Sequence, residues 1–456
     1  MLSARPSGTG TEMAITTTKM AKTRKYRLIT QIANPTYLRR AWVKLNKSNK
    51  DSRGVSEETI ADFSNSLESN LLTISAELKA RKYEFQSVRP VLVSKGIKDE
   101  FRPLRLADIR DRLVQKALAM KLEELLAIKY QLDNDCSFGY RPDKSVEDAV
   151  KKMVEYYKQG YHVILEADIK KFFDNVNRKN LLKKIFGELP DKTINTLLDK
   201  ALAQSVGDLS NYDERHHHYF RDSMQGIPQG NALSPLLANI YLADFDQRMI
   251  QENFKLIRYA DDFIVMCKDR NEAHRALSVA QDEIHNKLGL DLHPLPSPIN
   301  ALGSKTRIVN PIRDSFSFLS IRFDGKNIWV DPKKVAALIT AINEVTDLST
   351  YKNDQKYQGL ITIFRRLKNL LEGWLSAFKY VDVDRDFREI DDHIDYKLTM
   401  TLLKMNFKLK SSNLRSKNLK SVRNEVQILL PDQRLNTGVP TCEKFVKSLK
   451  REVIKI

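Results

Sequence analysis

The tetrapeptide Tyr259-Ala-Asp-Asp262 stands between two apolar runs and constrains the fold more than any other part of this chain. Phe254 to Ile257 precede it and Phe263 to Met266 follow it, and both runs have the length and composition of buried strands. The pattern predicts a β-hairpin with paired carboxylates at its tip. Adjacent carboxylates repel each other unless a cation neutralises them, and hard oxygen ligands suit Mg²⁺ better than zinc.

A third carboxylate follows a second apolar stretch rich in β-formers. Residues 161–167 predict a strand that delivers Asp168 to its end. Three such carboxylates can hold two Mg²⁺ ions, or Mn²⁺ in their place, in the arrangement that activates a hydroxyl for attack on a phosphate. Asp168 and Asp261 are then the central ligands and Asp262 supports them. Taken alone, Asp168 would more often be a solvated strand end or a helix cap.

Between the two acidic elements, residues 225–242 predict a Gly/Pro loop that runs into an apolar helix. Gly226 and Gly230 allow a positive φ and close contact with a nucleotide, and Gln229 can hydrogen-bond a sugar or base edge. The alternative interpretation is an ordinary turn between a loop and a helix.

These elements, in this order, resemble motifs A, B and C of prokaryotic reverse transcriptases, and the group II intron-like branch is the most similar. The resemblance covers about residues 35–325. It implies an α/β (α+β) right-hand polymerase with fingers and palm, a helical thumb and a basic C-terminal appendage. The other matching stretches are Trp42–Lys47 with Gly54-Val55, Lys98–Leu104, Ile109–Gln115, Ser137–Pro142, Leu288–Leu292, Lys305-Thr306 and Phe316–Leu319.

The resemblance implies a role for each matching residue near the acids. The three aspartates are implied to be the catalytic metal ligands, with the carbonyl of Ile169 as a further oxygen ligand. Phe173 resembles the steric gate, a ring under the sugar that clashes with a ribonucleotide 2′-hydroxyl. Phe172 is expected to lie in the core.

Other matching residues are implied to contact the nucleotide. Lys98 and Arg102 resemble the residues that clamp the incoming triphosphate. Gln229 and Gly230 belong to the nucleotide-binding loop. Lys305 is either a general acid for the departing pyrophosphate or a charge that screens it.

Four residues are candidates for contact with nucleic acid. Arg110 and Arg112 either touch the template or form ion pairs on a helix surface. Arg141 belongs to the matching stretch Ser137–Pro142. Trp374 lies in a segment typical of the thumb and either packs in the core or contacts RNA.

Composition supports a polyanionic partner independently of the motifs. The 456 residues carry a formal net charge of +18, and the last 56 hold 13 Lys/Arg against 4 Asp/Glu. A solvated helical surface is the alternative interpretation of that basic end. No apolar run approaches the 18 residues that cross a bilayer, so we expect a cytoplasmic protein that does not enter the membrane. The three cysteines are scattered and are expected to be free thiols.

Five parts are expected along the chain: a flexible tail (1–25), a helical N-terminal extension (26–83), fingers and palm (84–325), a thumb (326–407) and a basic C-terminal region (408–456). Ser56 is the expected cap of a helix before Ile60. The thumb helices are expected over residues 333–345, 357–380 and 387–405. The run His216–His218 predicts a solvated loop or hairpin, because adjacent side chains do not converge on one metal ion.

The function that these features favour is an RNA-directed DNA polymerase that uses dNTPs to copy a structured RNA template into a DNA product. The sequence lacks the nuclease and zinc signatures of intron-mobilising relatives and the Val-Thr-Gly hallmark of retrons, which points to a stand-alone enzyme of antiphage defence with a partner non-coding RNA. A maturase-like splicing cofactor and template-independent or protein-primed synthesis are the alternatives. The template, the primer and the oligomeric state stay open.

Overall fold

The computed structural model describes residues 27–48, 50, 52–95, 99–221, 225–296, 305–314, 316–351, 359–420, 422, 424–449 and 453–456. The predicted tail (1–25) and Lys98 lie outside these residues. The chain divides into two compact units. The first comprises the described parts of 1–145, 165–265 and 271–307, and the second those of 146–164, 266–270 and 308–456.

Helices form most of the regular structure. They are α1 (Leu28–Ile32), α2 (Pro35–Lys44), α3 (Ile60–Asn65), α4 (Leu67–Ala80), α5 (Ile109–Leu126), α6 (Val146–Lys158), α7 (Phe172–Asn175), α8 (Arg178–Glu188), α9 (Asn195–Leu202), α10 (Ser234–Gln251), α11 (Arg270–Gln281), α12 (Pro332–Thr346), α13 (Leu360–Ala377), α14 (Asp384–Lys404), α15 (Pro431–Asn436) and α16 (Cys442–Ser448). Short helical segments of 3₁₀ or π type add Glu214–Phe220, Asp282–Lys287, Leu348–Tyr351 and Ser411–Asn413.

Within the described residues the strands are short and fall into four sheets. They are β1 (Arg89–Ser94), β2 (Phe101–Leu106), β3 (Val163–Asp168), β4 (Lys255–Tyr259), β5 (Asp262–Cys267), β6 (Arg307–Val309), β7 (Phe316–Phe318), β8 (Ile321–Phe323), β9 (Ile328–Val330), β10 (Leu414–Asn418) and β11 (Glu425–Leu429). The four-stranded sheet has the order β4-β5-β3-β6, and β7-β8-β9 form an antiparallel sheet of three. The pairs β1-β2 and β10-β11 are antiparallel hairpins.

The core of the first unit is built around two long helices that are buried on most of their circumference. In α5, Leu113, Val114 and Leu118 are fully buried, and in α10 Leu237 and Phe245 are fully buried. In α5 the buried residues also include the polar Asp111, Gln115 and Lys121. The apolar helix predicted after the glycine loop is confirmed.

One predicted helix cap was wrong. The helix that begins at Ile60 is capped by Thr59, whose side chain accepts from the amide of Asp62 while Asp62 accepts in return from the amide of Thr59. Ser56 instead donates its amide to Asp108 Oδ1 at 3.0 Å. A reciprocal capping box satisfies two helix amides at once, which favours Thr59 over the earlier serine.

The second unit contains the predicted thumb helices, which are α12, α13 and α14 with ends within a few residues of those expected. The segment after residue 407 packs onto them: β11 lies against α14, and α16 against α13 and α14. Arg434 is fully buried and donates to Asp391 Oδ1 at 2.6 Å and Asp395 Oδ1 at 3.3 Å. Part of the basic charge of this segment therefore pairs inside the protein.

The run His216–His218 lies in a 3₁₀ turn, not in the expected loop or hairpin. His217 Nε2 is 3.2 Å from the carbonyl oxygen of Leu209 and 3.1 Å from that of Tyr212, and these contacts hold the turn. All three cysteines are buried free thiols, as predicted. Within the described residues, none of the helices has both the length and the apolar character that a bilayer span requires.

Candidate active site

The predicted hairpin is present. Strands β4 and β5 are neighbours in the sheet and are joined by Ala260 and Asp261 alone. Ala260 has φ of 61°, a left-handed conformation that a tight two-residue connection requires. The paired carboxylates of Asp261 and Asp262 therefore stand at the tip of the hairpin.

Asp168 is the last residue of β3, the strand next to β5. The backbone around it is fixed by the segment 291–293. The amide of His293 donates to the carbonyl of Asp168 at 3.0 Å, and the amide of Lys170 donates to the carbonyl of Asp291 at 2.8 Å. This places the Asp168 carboxylate at the same end of the sheet as the hairpin tip.

The three carboxylates are close enough to affect one another. Desolvation by the surrounding protein, followed by repulsion from Asp261 and Asp168, raises the pKa of Asp262 to about 6. Desolvation and the Asp168 charge also raise the pKa of Asp261. Asp262 keeps solvent access, so water screens part of this repulsion. Neighbouring negative charges that raise the pKa of Asp261 and Asp262 make this a site that a hard divalent cation would stabilise.

In this arrangement Lys305 supplies the neutralising charge. Its Nζ lies 2.7 Å from Asp168 Oδ2, and His293 Nε2 lies 3.7 Å from the same oxygen. Over the described ranges, no three His, Cys, Asp or Glu side chains converge on one point closely enough to form a complete metal site. The carboxylate oxygens of the three aspartates are suitable ligands for a divalent cation. If a cation binds, Asp168 would contact it in place of Lys305.

The glycine loop is attached by its backbone to the turn after Asp168. The amide of Gly226 donates to the carbonyl of Val176 and the amide of Ile227 to that of Phe173, both at 2.8 Å. Gly226 has φ of +83°, and a Cβ there would lie 2.8 Å from the carbonyl oxygen of Phe173 and 2.9 Å from that of Asp174. Only glycine fits at this position.

The same loop is attached to β2 on its other side. The amide of Arg105 donates to the carbonyl of Gln229 at 2.8 Å, and a Cβ on Gly230 would lie 2.9 Å from the carbonyl oxygen of Arg105. The positive φ predicted for both glycines is confirmed. The space beside each glycine is taken by the protein's own backbone, and the contact of this loop with a nucleotide stays a prediction.

Comparison with known proteins identifies the region that carries this geometry. Residues 93–296 match the family described as reverse transcriptase (RNA-dependent DNA polymerase). The chain carries a reverse transcriptase domain. The predicted fold class, with mixed helices and strands of the reverse transcriptase type, is confirmed by this match.

Two curated proteins are similar to this chain in sequence. The group II intron-encoded protein LtrA of Lactococcus lactis subsp. cremoris is 32% identical over 219 residues, which are 48% of this chain and 34% of that protein. Protein YkfC of Escherichia coli K12 is 25% identical over 356 residues, which are 69% of this chain and 87% of that protein. The chain thus spans about a third of the lactococcal relative. Among solved structures, a chain of a partial Cas6-RT-Cas1–Cas2 complex is similar, with 26% sequence identity and a TM-score of 0.33. The similarity covers 57% of this chain and 42% of that chain.

The reverse transcriptase domain brings several predicted nucleotide contacts to the carboxylates. Phe173 is half-buried, with its ring edge-on to Phe172 at a centroid distance of 5.3 Å, and Phe172 lies in the core as expected. Arg102 is exposed on β2. Its positive charge lowers the pKa of Asp261 and so opposes the increase that desolvation causes. Ile169 has a buried side chain directly after Asp168.

Three arginines that are predicted to contact nucleic acid make contacts within the protein. Arg110 pairs with Glu77 and lies over the Tyr83 ring. Arg112 donates to the carbonyl of Ala107 at 2.7 Å and to Ser52 Oγ at 2.9 Å, and the largely buried Arg141 donates to Asp133 at 2.9 Å. Arg110 thus has the ion pair of one interpretation and Arg112 has hydrogen bonds, while their contact with a template stays a prediction. Trp374, in the second unit, is half-buried with its ring 5.1 Å from that of Phe378.

Sequence reasoning missed some residues around the reverse transcriptase site. Glu166, two residues before Asp168 on β3, accepts from Arg307 Nε at 3.0 Å and ties β6 to the site. His293 lies beside Asp168, with its Nε2 at 3.7 Å from Asp168 Oδ2. Arg258 is a charged residue at a buried position of β4, directly after the buried Leu256 and Ile257. That position was the available signal, because a buried charge requires a partner.

Proposed function

We propose that this protein is an RNA-directed DNA polymerase that makes cDNA by two-metal nucleotidyl transfer. One observation carries the proposal: the strand end at Asp168 and the hairpin tip at Asp261-Asp262 gather three carboxylates beside the loop of Gly226 and Gly230. The family match over residues 93–296 supports the same reaction.

Asp168, Asp261 and Asp262, with the carbonyl of Ile169, would hold the cations, for which Mg²⁺ is the proposed species and Mn²⁺ a substitute. When bound, divalent ions lower the pKa of the attacking 3′-hydroxyl and neutralise charge on the transferred phosphate and on pyrophosphate. All four are oxygen donors, which suits these ions.

The chain's own residues would orient the nucleotide. Arg102 lies close enough to Asp261 for its charge to lower the pKa of that carboxyl, and its guanidinium fork would bind a triphosphate held by the cations. The amide of Ile227 donates to the carbonyl of Phe173, which fixes the Phe173 backbone relative to the glycine loop. The Phe173 ring would exclude a 2′-hydroxyl from the sugar site.

Lys305 would act on the leaving group. Its side chain is 59% exposed and reaches Asp168 with Nζ, so it can move to a phosphate once a cation neutralises that carboxylate. An ammonium beside pyrophosphate either donates a proton or screens charge, and both speed departure.

We also propose that the template is a partner non-coding RNA and that its copying serves antiphage defence in the cytoplasm. The net charge of +18 supports a polyanionic partner. The defence role rests on the resemblance of the motifs to stand-alone bacterial reverse transcriptases. Sequencing the RNA and DNA that copurify with the protein would identify template, product and primer together, and a set of unrelated cellular RNAs without complementary DNA would contradict this part.

The polymerase proposal is tested by replacing Asp261 and Asp262 with Ala. We expect the variant to lose Mg²⁺-dependent dNTP incorporation on a primed RNA and to keep its affinity for that RNA. Asp244→Asn is the matched control, because Asp244 is an exposed aspartate of α10 that pairs with Lys184 at 2.7 Å. Unchanged incorporation by the doubly substituted variant would refute the assignment.

A further inference from the structure

Arg258 is a charged residue that has no contact with solvent. It lies on β4, one residue before the hairpin begins to turn, and is 1% exposed. A buried guanidinium is tolerated only when its charge is paired and its N–H groups have acceptors. Its partners therefore show what the surrounding structure holds in place.

Two of those partners lie on α10. Arg258 Nε donates to Asp246 Oδ1 at 2.6 Å, and a second N–H of the same fork reaches Asp246 Oδ2. Nη1 donates to Asn239 Oδ1 at 3.1 Å. Asp246 is 1% and Asn239 4% exposed, so the guanidinium is fixed against the helix without competition from water.

The third partner is the catalytic turn itself. Arg258 Nη1 also donates to the carbonyl of Ala260 at 2.9 Å. Ala260 is the residue with φ of 61°, a conformation that alanine adopts only when neighbouring contacts hold it. The same guanidinium therefore connects a rigid helix to the strained residue that precedes the paired carboxylates.

The opposite side of the turn is also closed. A Cβ on Gly139 would lie 2.3 Å from the amide nitrogen of Ala260, and the carbonyl of Gly139 accepts from Asn239 Nδ2 at 3.0 Å. Asn239 thus bonds both Arg258 and the backbone on the other side of the turn. The turn lies between the Arg258 guanidinium and the Gly139 backbone.

We infer that Arg258 is a positioning residue for nucleotide addition, whose bond to the Ala260 carbonyl orients Asp261 and Asp262. The inference rests on the proposed function for its effect on rate. Loss of the bond frees the Ala260 peptide to leave the left-handed conformation, and both carboxylates follow it. A displacement near 1 Å in such a site lowers the rate by about a hundredfold.

The test separates orientation from folding. Arg258→Met alone leaves the Asp246 carboxylate buried without a countercharge, with only the long 3.4 Å hydrogen bond from Asn134 Nδ2, a change that can unfold the protein. In the double variant Arg258→Met/Asp246→Leu an apolar pair replaces the ion pair, which restores stability while Ala260 still lacks its donor. We expect this variant to melt near the wild-type temperature, to bind primed RNA normally and to incorporate dNTPs about a hundredfold more slowly.

Amide hydrogen exchange supplies a readout besides activity. Residues 259–262 are expected to exchange faster in the double variant while α10 keeps wild-type exchange. Lys184→Met/Asp244→Leu is the control, since it removes an ion pair from the exposed side of α10 and should leave both exchange and activity unchanged.

Wild-type activity together with wild-type exchange at residues 259–262 in the stable double variant would overturn the inference. If that variant fails to fold, Arg258→Lys takes its place, because a lysine keeps the charge beside Asp246 but lacks the fork that reaches Asn239 and Ala260 together. The expected results are the same, with a smaller rate loss. A wild-type protein that incorporates no nucleotide would refute the proposed function instead, and the exchange measurement would still judge the role of Arg258 in the turn.

Discussion

Replacing Gly226 with Ala should damage the site by pushing its glycine loop away from the turn that carries Phe173. The added Cβ would lie 2.8 Å from the carbonyl oxygen of Phe173 and 2.9 Å from that of Asp174, several tenths of an ångström closer than a normal contact. Both oxygens belong to backbone, so neither can rotate away. The loop or the turn must move.

The cost has two parts. A left-handed alanine costs about 1–2 kcal/mol relative to glycine, and forcing an extra carbon into a filled space costs about 1–3 kcal/mol. Gly226→Ala should therefore lower the free energy of unfolding by about 2–5 kcal/mol. Gly160→Ala is the matched control, since Gly160 has φ of +93° with nothing within 4 Å of the added Cβ, and should lose only the first part.

Urea denaturation and primer extension measure both effects. We expect Gly226→Ala to be less stable than Gly160→Ala and to lose activity or sugar discrimination as well, because Phe173 shifts with its carbonyl. Gly160→Ala should keep full activity. Equal stability of the two variants together with unchanged incorporation by Gly226→Ala would refute the argument.

Three further outcomes are expected. Phe173→Ala should admit ribonucleotides, seen as a smaller ratio of kcat/KM for dNTP over rNTP, and undiminished discrimination would exclude the gate. Burial raises the pKa of Asp111 from 3.8 to about 6, so the protonated carboxyl stabilises the folded protein fully below about pH 4, and this contribution is lost as the pH rises through 6. Across that range the wild-type free energy of unfolding should fall by about 3 kcal/mol because of Asp111, and Asp111→Asn should abolish that fall. The same pH dependence of the unfolding free energy in the wild type and the variant would contradict this prediction. Ser320 has φ of +69°, so Ser320→Gly should raise stability by about 1 kcal/mol, and a lower melting temperature would contradict that.

Local pattern predicted the elements that carry the carboxylates. Two apolar runs of strand length on either side of Tyr259–Asp262 favour a β-hairpin over other structures. A run of β-forming residues that ends in an aspartate places that aspartate at the end of a strand. The glycines at 226 and 230 indicated positive φ because few other residues adopt it readily. These features depend on neighbours in sequence, and the structure has them as expected.

Contacts between distant segments could not be predicted in the same way. Whether Arg112 contacts a template or the carbonyl of Ala107 depends on how α5 is buried. Gly226 contacts the backbone of Phe173, which lies 53 positions earlier, and no local sequence pattern encodes that contact. The charge of the C-terminal segment gave no sign that Arg434 would be buried between two aspartates. Composition counts charges and does not record which of them are paired.

Ser320 has a backbone conformation that its residue type rarely adopts. The structure places Leu319 and Ser320 in a two-residue turn between β7 and β8 with positive φ at both. A turn of this type favours glycine or asparagine. The serine therefore keeps the turn at some cost in stability and leaves the fold unchanged.

The three carboxylates are proposed to catalyse the synthesis of DNA complementary to an RNA template. The most direct test supplies the purified protein with Mg²⁺, the four dNTPs and an RNA of known sequence carrying an annealed primer, and sequences the product. We expect DNA complementary to that RNA, absent when EDTA replaces Mg²⁺ and absent with Asp168→Asn. Product whose sequence is independent of the RNA, or product that persists without Asp168, would contradict this role.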